Sequence, residues 1–146
     1  MPAGRVAYSV SGTGPPLLMD SGWITDLRGQ LELCSFGPFV ARLAERFTVI
    51  RYDKPGCGLS DRTEIDLSFE GQVAAALAVA DAVGASRFRL FGASQGGQLA
   101  TAIAARHPDR VEPSCSTGCA PAAATSRPPR SGGRSWRWCG RTGAWD

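Results

Sequence analysis

The sequence predicts an α/β fold, a mostly parallel sheet with helices on both faces. Three observations lead there. Between residues 5 and 111 short apolar runs alternate with helically spaced ones. The apolar runs are continuous rather than alternating, the pattern of strands buried on two faces. Strands separated by helices require crossover connections, and these give parallel pairing.

The elements follow in order. Arg5 to Val10 reads as a strand, closed by the turn-rich segment Ser11-Gly12-Thr13-Gly14-Pro15-Pro16. Leu17-Leu18-Met19 is a short buried strand that runs into a loop at Asp20-Ser21-Gly22. Pro38 to Arg46, with Phe39, Val40, Leu43 and then Phe47, has helical spacing. Phe47 to Tyr52 is β-branched and aromatic, hence a strand. Ser68 can cap a helix whose apolar face runs through Phe69, Val73, Leu77, Ala80 and Val83, and Gly84 is placed to end it. Arg87 to Phe91 is another strand. An Ala-rich helix follows from Gln95 to Arg106 and stops before Pro108.

Composition divides the 146 residues in two. Residues 1–112 hold ten Arg and one Lys against twelve acids, a net −1, whereas residues 113–146 hold five Arg against Asp146, a net +4. The second stretch has no Leu, Ile, Val, Met, Phe or Tyr, yet contains Trp136, Trp138 and Trp145. A segment without aliphatic residues cannot offset its chain entropy by burial, so the expectation is a disordered basic tail behind one folded unit at 1–112. Five cysteines, with Cys34 and Cys57 far apart in the body, read as free thiols in a reducing cytoplasm. The chain opens without a charged-then-apolar leader, and its apolar stretches fall short of a membrane span. No cofactor or metal site is expected, since Cys115 and Cys119 have no histidine near them.

The chemistry concentrates at Gly92-Ala93-Ser94-Gln95-Gly96, a G-x-S-x-G turn between a strand and a helix. That is the context of a nucleophile elbow. A chain reversal this sharp needs flanking residues without a Cβ, here Gly92 and Gly96. Ser94 would project above the sheet at the positive end of the next helix, with the Gln95 N–H placed to donate to an oxyanion. The chain has neither the Gly-Lys-Ser/Thr of a phosphate loop nor G-x-G-x-x-G.

Three blocks in this order, Pro16 to Trp23, Tyr52 to Arg62 and Gly92 to Gly97, resemble the N-terminal half of an α/β-hydrolase. Ala105 to Val111 is similar to the end of the helix after the elbow. Tyr52 to Arg62 with Gly22-Trp23 most resembles bacterial hydrolase-like domains related to those attached to adenylate cyclases or transcriptional regulators. The resemblance implies a partial α/β-hydrolase fold, truncated after the nucleophile helix. It makes Ser94 the nucleophile and the backbone N–H groups of Gln95 and Trp23 the oxyanion hole, acting on a small ester, thioester or lactone through an acyl-enzyme. Ser21 stands where many members have histidine; backbone donors do not need it. The glycines of the Asp53–Arg62 loop read as a structural turn near the pocket rather than as a substrate contact.

Such a serine needs a base and an orienting carboxylate, which in this family follow it in the chain. The one histidine, His107, lies thirteen residues on, roughly 20 Å along the helix. The expectation is that neither catalytic acid nor base lies in this chain and that its activity is low. The alternative is a non-enzymatic module that senses a small molecule in the same pocket. Nucleic-acid binding through Arg134-Ser135-Trp136-Arg137-Trp138 is the weaker reading of the tail.

Arg outnumbers Lys fifteen to one, as in a GC-rich gene, and the Arg, Pro, Gly, Ser, Ala, Cys and Trp of residues 113–146 are what an out-of-frame reading of such a gene yields. The coding DNA tests this. A second frame is expected to open near codon 111 and to carry an apolar strand, an acid and a histidine; its absence refutes the frameshift.

Overall fold

The computed structural model describes residues 4–63, 65–112 and 116–117 of the chain. Its strands are β1 (Tyr8–Ser11), β2 (Pro16–Asp20), β3 (Thr48–Tyr52), β4 (Arg89–Gly92) and β5 (Ser116–Thr117). Its helices are α1 (Gly29–Glu32), α2 (Phe36–Ala44), α3 (Phe69–Ala82) and α4 (Gln95–Arg106). The strands form one sheet in the order β1-β3-β2-β4-β5. β1 is antiparallel to β3, and every other pair is parallel. The mostly parallel sheet expected from the sequence is thus present.

The continuous apolar runs have the expected cause. Along β2, Leu18 faces one side of the sheet and Leu17 and Met19 the other, and all three are buried. Leu18, Ile50 and Leu90 pack with Val73 and Ala76 of α3 and with Leu99 and Ile103 of α4. Leu17, Met19 and Val49 pack with Val40 of α2, backed by Phe36 and Leu43. Two faces and two cores explain why the strands do not alternate polar with apolar.

Element boundaries differ from expectation where other partners take the backbone. β1 starts three residues later than the sequence suggests. Its leading segment is bonded to the loop after β3: Arg5 N donates to the Asp61 carboxylate, and Ala7 N donates to Ser60 Oγ. α2 begins two residues before Pro38, which an early helical position tolerates. The short α1 was not expected; Asp26 organises it by accepting from the N–H groups of Arg28 and Gly29.

Phe88, just before β4, is fully buried and pairs in parallel with Val111. Beyond Val111 the sheet gains β5, whose two residues pair with Phe91 and Gly92. Sheet pairing therefore passes the compositional boundary at residue 112. The rest of the expected tail, including Cys115, Cys119 and the three tryptophans, lies outside the described residues.

Ser68 caps α3, its Oγ accepting from Gly71 N at 3.0 Å, and Gly84 follows the helix at φ +77°. Replacing Ser68 with alanine removes that acceptor, and urea unfolding is expected to register a loss of about 1 kcal/mol.

Candidate active site

The ends of β2, β3 and β4 converge on one corner, and three segments meet there. The first is the turn Gly92–Gly96, which the sequence reads as an elbow. Ser94 is the described non-glycine residue with positive φ (54°, ψ −125°), at the N-cap of α4. This is strained backbone for a residue with a side chain, held by its surroundings. Close packing explains the flanking glycines. A Cβ on Gly92 would collide with the carbonyl of Gly96, and a Cβ on Gly96 would collide with the backbone and carboxylate of Asp20. Ala93 N donates to Asp20 O at 3.0 Å, which ties the elbow to the end of β2. Ser94 is exposed, and Gln95 opens α4, so its N–H lies in the first turn, where no intrahelical acceptor exists.

The second segment is Ser21-Gly22-Trp23, beside the elbow. Gly22 has φ +137° and is buried, and a Cβ there would stand 3.9 Å from the Ala93 carbonyl. Two polar networks fix this loop. Ser21 Oγ and the Gln30 side chain are hydrogen-bonded at 2.9 Å, and Arg51 Nη2 donates to Gln30 Oε1 at 3.2 Å and to Leu27 O at 3.4 Å. On the other side, Gly22 N donates to Asp20 Oδ1 at 3.2 Å. Trp23 follows with its side chain 74% exposed, free of the core.

Asp20 is the hub. Its Oδ2 accepts from Tyr52 OH at 2.9 Å and lies 3.3 Å from Lys54 Nζ. Both charged side chains are almost fully buried, at 6% and 4% exposure. Burial, followed by the Asp20 charge, holds the Tyr52 phenol well above its ordinary value, so it stays protonated and donates. Burial also draws Arg51 below the usual arginine value, while Asp53 and Asp26 pull the other way.

The third segment is the loop after β3. Asp53 is fully buried and accepts from Leu27 N and Leu59 N, each at 2.8 Å. Gly58, at φ +46°, presses on that carboxylate, where a Cβ would collide. Gly56 and Gly58 shape the turn, as the sequence suggests, and Asp53 fastens it to the segment leading into α1.

The structure brings together Ser94, Gln95, Gly92, Gly96 and the Trp23 loop. It does not bring His107 to them. That residue caps the opposite end of α4, its N–H donating to Ile103 O at 2.8 Å. Sequence reasoning missed the Asp20–Tyr52–Lys54 cluster and the Ser21–Gln30–Arg51 chain. One signal was available: a charged residue at the end of an apolar strand, with a lysine two residues past the end of the next apolar strand. Among the described residues no cluster could hold a metal, and no helix is long and apolar enough to cross a membrane.

The family model of the alpha/beta hydrolase fold matches residues 15–134. The chain belongs to the alpha/beta hydrolase family. The match continues past residue 112 into the compositionally distinct stretch. A protein of Mycobacterium phage D29 described as a putative non-heme haloperoxidase is 33% identical over 108 residues, which is 73% of this chain and 37% of that one. An enol-lactonase from Burkholderia xenovorans superposes with a TM-score of 0.62 at 29% identity, covering 75% of this chain and 41% of that one. An alpha/beta hydrolase from Sphaerobacter thermophilus gives 0.60 at 33%, covering 71% and 37%. This alpha/beta hydrolase chain thus spans about two fifths of the length of these relatives.

The buried ion pair makes a sharp prediction. Asp20→Ala strands the Lys54 ammonium, and chemical denaturation is expected to show a loss of about 3–5 kcal/mol. The double change Asp20→Leu with Lys54→Met is expected to recover much of it. A double variant as unstable as Asp20→Ala would show that the charges are not coupled.

Proposed function

We propose that this chain carries the nucleophile and oxyanion hole of a serine-type acyl hydrolase acting on small esters, thioesters or lactones. The observation that carries the reading is the Ser94 backbone, held in a strained positive-φ conformation by glycine packing against Asp20. Ser94 Oγ attacks the carbonyl carbon, and the carbonyl oxygen becomes an oxyanion facing the N–H groups of Gln95 and Trp23. The alcohol or thiol leaves, water hydrolyses the acyl-serine, and the acid is released. The enol-lactonase similarity favours a lactone or ester over other acyl groups.

Deprotonating Ser94 requires a base. The chain's one histidine, His107, stands at the far end of α4 and is not that base. We place the base and its orienting acid in the frame displaced near residue 111, with residues 113–146 as its out-of-frame replacement. Loss of the base costs several orders of magnitude in rate, so the chain as it stands is a slow hydrolase at most. It acts on small molecules, requires no cofactor and functions in the cytoplasm.

Two measurements test this. A fluorophosphonate probe is expected to add to Ser94, detected by peptide mass, and Ser94→Ala is expected to abolish the adduct. With p-nitrophenyl acetate, joining residues 1–112 to the in-frame downstream segment is expected to raise turnover by orders of magnitude in a Ser94-dependent way. Saturable ligand binding by the joined chain without turnover would instead establish a sensor.

A further inference from the structure

Trp23 and Ile24 are mostly in solvent, yet the residues on either side of them are pinned. Before them, Gly22 N donates to Asp20 Oδ1 at 3.2 Å. After them, the buried Thr25 hydroxyl accepts from Lys54 N at 2.7 Å. The two anchors are themselves joined, because Asp20 Oδ2 lies 3.3 Å from Lys54 Nζ. A closed circuit of contacts thus runs from Asp20 through Gly22, Thr25 and Lys54 and back to Asp20. Trp23 is held through its neighbours rather than by its own side chain.

The Asp20 carboxylate also meets the segment that carries Gln95. A Cβ on Gly96, in the first turn of α4, would stand 2.8 Å from Asp20 Oδ1. Oδ1 therefore lies between the loop with the Trp23 N–H and the turn with the Gln95 N–H. A carboxylate suits a helix N-terminus. Its full charge would nevertheless oppose any anion forming between the same donors, and the more so where water does not screen it. That charge is met on the other oxygen, where Tyr52 OH donates at 2.9 Å and Lys54 supplies the opposite sign.

From this arrangement we propose that Asp20 and Lys54 are paired positioning residues for the oxyanion site. Asp20 fixes the Trp23 loop against α4, and Lys54 cancels the charge that this fixing introduces. Both side chains are buried, so they act through the loop and through their field, without touching the substrate. The two tasks are separable. An amide at position 20 can still accept from Gly22 N, but brings no charge and needs no lysine. An apolar pair fills the same volume and holds nothing. The proposal rests on the acyl-hydrolase reading, since without an oxyanion the charge has nothing to oppose.

The test is the second-order rate at which an uncharged alkyl fluorophosphonate ester adds to Ser94 of the full chain, read by intact mass. Urea unfolding of each variant fixes its folded fraction. Ser94 Oγ bonds to phosphorus, fluoride leaves and the serine proton passes to buffer, while the P=O oxygen gathers negative charge where the oxyanion would stand. Lys54→Met is expected to slow this reaction about tenfold or more. Asp20→Asn with Lys54→Met is expected to bring it back to within about threefold of the parent chain. Asp20→Leu with Lys54→Met, the change expected to recover stability, is expected to stay about tenfold slow. Stability and rate part company in that variant, which a purely structural role would not produce. Should Lys54→Met be too unstable to assay, the two double variants still decide. Equal rates in those two at equal folded fraction would overturn the proposal, as would a Lys54→Met rate equal to the parent's. A parent chain that gains no phosphonate at Ser94 would remove the acyl-hydrolase reading and the positioning role with it. Equal variant rates beside a normal Ser94 adduct would remove the positioning role alone.

Discussion

The buried contact between Asp20 and Lys54 is the constraint on which the corner depends. Taking two charges out of water is costly, and the cost is offset only when each finds close partners. Asp20 finds them in Tyr52, Lys54 and Gly22 N, while its main-chain oxygen takes the Ala93 N–H. One residue thus joins the ends of β2 and β3, the Gly22–Trp23 loop and the turn at Ser94. An apolar residue at position 20 could fill the space. It could not hold Gly22 N, and Gly22 sets the direction in which Trp23 leaves the strand.

The elbow depends on the same residue sterically. Gly96 packs so close to Asp20 that any Cβ would collide, and Gly92 packs equally close to Gly96. With those three backbones in contact the turn is closely held, and Ser94 stands within it at positive φ. The strain is local, but its support is not. It comes from the parallel pairing of β2 with β4, which sets Asp20 beside Gly92. Burial of Leu18 and Leu90 against α3 and α4 holds that pairing in register.

Much of this was legible in the sequence, for physical reasons that differ by element. β2, β3 and β4 are buried on both faces, so their apolar runs are unbroken and easily read. α3 and α4 declare themselves by the Ser68 cap, Gly84 and Pro108. The elbow was legible because its geometry admits only glycine at positions 92 and 96. What escaped was set by tertiary contacts. The start of β1 is decided by Ser60 and Asp61, more than fifty residues away. α1 is a single turn organised by Asp26, too short for periodicity to show. The partners of Asp20, Ser21 and Arg51 are side-chain pairings between segments, and no local pattern announces them. β5 has two residues in a stretch without aliphatic side chains, so composition argued against any strand there.

The separation between what this chain contains and what the proposed reaction needs follows from the same topology. Ser94, Gln95 and Trp23 follow the ends of adjacent strands, β2 and β4, and the segments that carry them are placed by contacts inside residues 4–112. They form an assembly that does not wait for distant parts of the chain. α4 carries the chain directly away from Ser94 for twelve residues before its histidine. Histidine at that helix end is suited to the negative end of the dipole and to no role at the serine. On the proposed reading, the groups that would stabilise charge are thus locally encoded, while those that would move protons come from chain beyond β4.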